Sequence, residues 1–168
     1  SDLKNYTNQF YVHLPDAGFI YGEDADNIVK SSVDREIAGT RLVPTTDGRW
    51  SWGQLREINF FLNNENVQNF SNEAIRDHYV GLAKFFRALF YFDKVKSYGD
   101  VPWYSTVIET NNEELLMKAR DPRELVMDSV LADIDFAVEH MRTDKEVERI
   151  TKWTALALKS RITLYEGT

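Results

Sequence analysis

Cysteine is absent from the 168 residues, which removes disulfides, thiolate catalysis, Cys-type zinc sites and iron–sulfur clusters together. The same absence says little about compartment, because secreted and cytosolic proteins alike can lack disulfides. No run approaches the roughly 18 apolar residues that a bilayer-spanning helix requires. Histidine is scarce: His13, His78 and His140 stand far apart and form no HExxH or other short zinc pair. Phosphate loops of the GxxxxGKS/T and GxGxxG types are missing, as is the GxSxG nucleophile turn. Positive charge is in short supply, with 20 Lys and Arg against 27 Asp and Glu and a net charge of −7. Nucleic-acid affinity rests on cationic neutralisation of phosphates, so nucleic acid is not an expected partner. No cofactor and no resident metal are expected from these residues. The acidic run Glu23-Asp24-Ala25-Asp26-Asn27 opens like a calcium loop, but counting from Asp24 the sixth position is Val29 and the twelfth is Arg35. An EF-hand needs Gly and Glu there, which leaves only irregular calcium coordination open. Chance carboxylate pairs are common among 27 acids, so no catalytic constellation stands out and an enzyme is not expected.

Aromatic residues are plentiful: ten Phe, eight Tyr and four Trp. With 43% hydrophobic residues, the chain can bury roughly 70% of its unfolded surface, as befits one domain. The expected organisation is a single helical domain over 1–168, irregular over 1–50 and built of helical hairpins over 51–168. In the first stretch Pro15, Gly18, Gly22, Gly39, Pro44 and Gly48 recur, and the aromatics follow no helical period. The chain starts Ser1-Asp2-Leu3-Lys4, without an initiator Met or a signal peptide, as expected of a processed or trimmed chain whose export stays open.

Helical periodicity starts at Trp52, where Leu55, Ile58, Phe61 and Leu62 recur at steps of three and four. A second helix is predicted from Ser71-Asn72-Glu73 to about Ser97, with Gly99 ending it and Pro102 barring continuation. Its inward face carries Ile75, Tyr79, Leu82, Phe86, Leu89 and Phe90. Asp121-Pro122-Arg123-Glu124 predicts a third helix with Asp121 as N-cap and Glu124 completing a capping box. Val126, Val130, Ile134, Ala137, Val138 and Met141 form its apolar stripe, and Asp128, Asp133, Glu139 and Arg142 lie elsewhere on the wheel. A fourth helix begins near Thr151 and stops at Gly167; Trp153, Leu156, Leu158, Ile162, Leu164 and Tyr165 surround it, so it wants cover on more than one side. The predicted fold class is all-α, with antiparallel hairpins of the tetratricopeptide kind.

One local feature is chemically pointed. Arg49-Trp50-Ser51-Trp52 follows the turn Thr45-Thr46-Asp47-Gly48. An indole offers a flat apolar face to sugar C–H groups, and an adjacent guanidinium can bond hydroxyls. Trp52 is in phase with Leu55 and Ile58 and is expected to pack. Trp50 is out of phase, and both packing and ligand stacking remain open for it. Trp103 and Tyr104 are further loop aromatics.

Within the second helix, Phe86-Arg87-Ala88-Leu89-Phe90-Tyr91-Phe92-Asp93-Lys94-Val95, followed by Tyr98-Gly99-Asp100-Val101-Pro102, resembles the signature of the SusD/RagB family. Trp52-Gly53-Gln54-Leu55-Arg56-Glu57-Ile58-Asn59, the stretch from Ala119-Arg120-Asp121 to Asp133-Ile134-Asp135-Phe136-Ala137, and Arg149-Ile150-Thr151-Lys152-Trp153 through Arg161 and Tyr165 agree in order and spacing. Members are nutrient-binding outer-membrane lipoproteins of Bacteroidetes-type bacteria. The resemblance implies an all-α, tetratricopeptide-like fold and non-catalytic capture of an oligosaccharide or polysaccharide at the cell surface. It implies delivery to a SusC-like TonB-dependent transporter, and a membrane attachment only through a lipid anchor. Members are much longer than this chain and carry an N-terminal cysteine that is missing here. The resemblance marks Trp52, Asn59, Arg87, Tyr91, Gly99, Asp100 and Pro102 as fold-keeping positions. It supports Arg49 and Trp50 as glycan contacts, with Arg41 as an addition. The alternative function is a helical-repeat scaffold that binds another protein and has no carbohydrate site.

Overall fold

A computed structural model describes residues 2–14, 33, 35, 37–40, 42, 45, 48–144 and 148–167. Arg41 and the acidic run 23–27 lie outside the described residues. The helices are α1 (Asp2–Thr7), a 3-10 segment (Asn8–His13), α2 (Gly53–Asn63), α3 (Glu65–Gln68), α4 (Glu73–Tyr98), α5 (Glu113–Leu116), α6 (Arg123–His140) and α7 (Lys152–Glu166). Among the described residues the one extended pairing is an isolated antiparallel bridge between Val101 and Asp121. The fold is all-α.

The chain divides into two compact units, one of Ser1–Val12 with Trp52–Thr168 and one of His13–Ser51. In the smaller unit, Thr40 N–H donates to the Arg35 carbonyl at 2.9 Å across a turn in which Gly39 takes φ +66°. The larger unit holds all the long helices.

Their order follows from residue pairs. Arg87 of α4 meets Asp133 of α6, and the Val101–Asp121 bridge closes the connection at one end. At the other end the Arg142 N–H reaches His78 Nδ1 at 3.3 Å, so α4 and α6 run antiparallel. Lys159 pairs with Asp135 and Arg123 with Glu166, each at 2.6 Å, which makes α6 and α7 antiparallel as well. Trp52 lies against Phe90 and Tyr91 while Asn59 bonds Arg87, giving α2 the same relation to α4. These are tetratricopeptide-like hairpins in a row.

Helix α4 is the spine. The Asn72 side chain accepts the Ile75 N–H at 3.1 Å at its start, and Gly99 ends it at φ +70°, ψ −114°, a backbone region that L side chains avoid. Tyr79, Leu82, Phe86 and Phe90 are buried, but so are His78, Phe85, Arg87, Tyr91 and Lys94, because α1, α2 and α6 cover α4 from several sides. Gly81 permits a close crossing: a Cβ there would meet Met141 Cγ at 3.0 Å and Ala137 Cα at 3.4 Å.

The N-terminal stretch contains α1 and the 3-10 segment as short helical pieces: Phe10 is fully buried against Phe61 and Phe86 and anchors a piece too short to show a period. Two expectations are corrected. Asp121 does not cap α6. The Arg123 N–H is taken instead by Asp100 Oδ1 at 2.9 Å, a cap supplied from the turn after α4. Asp133 is buried on the α4 side of α6.

Candidate functional site

Gly48 and Arg49 form a turn just before α2, in the smaller unit. Arg49 is exposed and Trp50 retains 36% of its accessible surface. A guanidinium and an indole thus follow one another in the chain, both exposed. Arg41, the third proposed contact, lies outside the described residues.

Two residues later the environment differs. Trp52 is half-buried, its ring edge-to-face with Phe90, Tyr91 and Tyr104 at 5.6, 6.2 and 5.6 Å. Lys94, itself buried, brings its ammonium within 5.6 Å of the Trp52 centroid and 5.0 Å of that of Phe90. Beside Trp52 a cavity of about 270 Å³ lies between α2 and the 104–116 segment, lined by Leu55, Arg56, Tyr104, Ile108 and Leu116 among others. Arg56 Nη1 donates to the Ile108 carbonyl at 3.2 Å and ties the two walls together.

The remaining motif residues form a polar seam inside the larger unit. Arg87 places Nε and Nη2 on the two oxygens of Asp133 at 2.6 and 2.9 Å, a fork that matches the carboxylate plane. Its Nη1 donates to Asn59 Oδ1 at 3.1 Å. Asn59 in turn donates its amide to the carbonyls of Tyr104 and Thr106, at 2.9 and 3.1 Å. One chain of bonds thus links α6, α4, α2 and the loop after Pro102. The Tyr91 hydroxyl continues it, accepting the Tyr104 N–H at 2.6 Å and donating to the Pro102 carbonyl at 3.3 Å. Burial pushes the Tyr91 phenol well above its ordinary range, so it stays protonated and available as that donor.

The turn after α4 is held in the same way. Asp100 caps α6, and Asp121 accepts the Trp103 N–H at 2.7 Å and the Lys118 ammonium at 2.6 Å. Burial alone would raise the Asp121 carboxyl, but the Lys118 hydrogen bond, the Trp103 N–H and the Lys118 charge outweigh it and hold the group below the usual range. Gly99, Asp100 and Pro102 therefore act on the path of the chain, and Asn59, Arg87 and Tyr91 on its internal bonding.

Two residues in this seam carried weaker signals in the sequence. Asp133 sits three residues after Val130 and four before Ala137, in step with the apolar stripe, and an acid at such a position needs a buried partner. Lys84, three residues before Arg87 on α4, approaches Asp133 at 3.4 Å. Among the described residues no group of three His, Asp or Glu side chains could hold a metal ion. No helix among them is long and apolar enough to cross a membrane.

Comparison with known proteins gives this geometry its context. The profile of the SusD-like family, described as starch-binding and associating with outer membrane, matches residues 32–164. Two SusD-like proteins of Formosa agariphila are 25% identical over 123 residues and 26% identical over 154 residues, which is 69% and 88% of this chain. Those matches take up 23% and 30% of the relatives, so the chain spans about a quarter of their length. A crystal structure of a SusD-like protein from Bacteroides fragilis superimposes with a TM-score of 0.60 at 30% identity, over 67% of this chain and 22% of that one. A second structure, solved with a xylogluco-oligosaccharide, has a TM-score of 0.57 at 23% identity over 70% of this chain and 23% of that one, and is similar in fold. With residues 32–164, most of its length, inside the family profile, the chain belongs to the SusD-like family.

Proposed function

We propose that this chain is the N-terminal part of a non-catalytic nutrient-binding lipoprotein at the surface of the outer membrane, which delivers oligosaccharide to a SusC-like TonB-dependent transporter. The observation that carries the reading is the family profile over residues 32–164, whose description couples starch binding to the outer membrane. The similar fold solved with a xylogluco-oligosaccharide supports a glycan as the ligand class. Within the chain, Arg49 and Trp50 are the proposed glycan contacts, and Arg41 joins them as a candidate on sequence grounds. An exposed indole stacks on sugar C–H groups at little conformational cost, and a neighbouring guanidinium donates to hydroxyls. The Asn59–Arg87–Asp133 seam is assigned to holding the hairpins, because its members spend their bonds on one another and on carbonyls.

The test is a titration of the folded chain with xyloglucan and starch oligosaccharides, followed by tryptophan fluorescence, for the wild type and Trp50→Ala. We expect saturable quenching in the wild type and a loss of affinity of about tenfold or more in the variant, the scale of a lost stacking contact of ~1–3 kcal/mol. Quenching that survives unchanged in Trp50→Ala would remove Trp50 from the site. A second reading, a protein-binding scaffold without a carbohydrate site, is favoured by the exposed Trp153, Leu156 and Leu164 on α7. Silence toward every glycan would support it.

A further inference from the structure

A polar cleft of about 540 Å³ opens in the larger unit between the end of α2, α3, α4 and Phe136 near the end of α6. Its volume is in the range of small-molecule sites. Arg87 and the half-buried Lys84 line it, with Arg76, Asp77, Ser105 and Phe136. The charges can be paired off. Arg87 is taken by Asp133 through its two-bond fork, and Arg76 Nε meets Asp77 Oδ1 at 2.9 Å. Lys84 is left in surplus: its ammonium stands 3.4 Å from Asp133 Oδ1, an oxygen that already accepts from Arg87. In a chain of net charge −7, this cleft carries one positive charge too many.

The cleft has no open aromatic face. Phe136 is covered by the Lys84 ammonium at 4.4 Å and by the His140 ring stacked at 4.0 Å and 16°. Sugar-ring stacking is therefore not the means of recognition here; charge is. Three of the five Arg87 N–H groups are spent on Asp133 and Asn59, which leaves two for a further acceptor. A half-buried ammonium whose one ion contact among the described residues is long is incompletely compensated, and an added carboxylate would complete it.

We propose that this cleft binds a saccharide unit bearing a carboxylate, a uronic acid, with the carboxylate between Lys84 Nζ and the outer N–H groups of Arg87 and a hydroxyl at Ser105. The proposal rests on the glycan-binding reading for its saccharide and is independent of Trp50 for its site.

Isothermal titration of the whole chain with trigalacturonate, with its methyl ester and with acetate tests it, using wild type, Lys84→Gln, Lys84→Arg and Trp50→Ala. Trigalacturonate is expected to bind the wild type and Lys84→Arg similarly, and to lose about tenfold or more on Lys84→Gln, the worth of one charge-assisted contact. The methyl ester should bind far more weakly, and added salt should weaken the acid form. Equal affinity of wild type and Lys84→Gln, or of acid and ester, overturns the proposal. Acetate binding as tightly as the trimer also overturns it, since that is an anion site without a saccharide. Neutral oligosaccharides lost on Trp50→Ala while trigalacturonate is silent reject the cleft alone. Silence toward every sugar rejects both the cleft and the glycan reading.

Discussion

Helices α4 and α7 are both rich in apolar residues, yet they live in different surroundings. In α4 a continuous run from His78 to Phe92 is largely buried, and fifteen of its 26 residues are shielded from solvent. In α7 only Ala155 and Ile162 are buried, while Trp153 keeps 55% and Leu164 69% of its accessible surface. The contrast shows that apolar content sets what a helix can bury, and the number of neighbours sets what it does bury. A helix with partners on three sides even takes charge inside, provided that charge is paired: Arg87 meets Asp133 from α6 and Asn59 from α2. The outer side of α7 has Ala157 and Ser160 between Trp153 and Leu164, a stripe low enough for close approach but exposed in this chain.

The comparison can be broken most severely at the seam. Asp133→Ala strands the buried Arg87 guanidinium and is expected to cost about 3–5 kcal/mol, as is usual when one partner of a buried ion pair is removed. Urea denaturation measures it; a loss under 1 kcal/mol would mean that α4 and α6 do not depend on their shared charge pair. A smaller effect lies at the turn joining those helices. The Asp121 carboxyl is held below its ordinary value of 3.8. Its contribution is fully present above that unfolded value and is lost as pH falls through the lower folded one. Thermal melts between neutral pH and pH 2 should show this acid-side loss, and Asp121→Asn should flatten that portion of the profile. The smallest effect belongs to the outer helix: Leu164→Lys should change the stability of this chain by less than about 0.5 kcal/mol. A large loss in the same denaturation experiment would place Leu164 in a packed environment and erase the contrast.

Much of the helical framework is legible along the chain because its signals are local. Asn72 before an apolar period and Gly99 after it bound α4, and Thr151 and Gly167 bound α7. Where a signal depended on a distant partner, local reading picked the wrong group. Asp121 has the position and chemistry of an N-cap, but Lys118 and the Trp103 amide compete for it and Asp100 takes its place. The proposed glycan contacts Arg49 and Trp50 are legible because an indole and a guanidinium follow one another in the chain after a turn. The Lys84 cleft is not, since its lining comes from four helices and a loop, and no spacing along the chain records how they meet.

By itself, the sequence determined the all-α class, the hairpin-forming periods and the absence of thiol chemistry, because periodicity and composition are properties of the chain. The tertiary structure alone decided that Asp133 lies inside, that Asp100 caps α6 and that Lys84 remains the uncancelled charge of a cleft. Each of those outcomes depends on which groups compete for one partner across a fold. Competition of that kind is settled by three-dimensional proximity, where burial makes an unpaired charge costly.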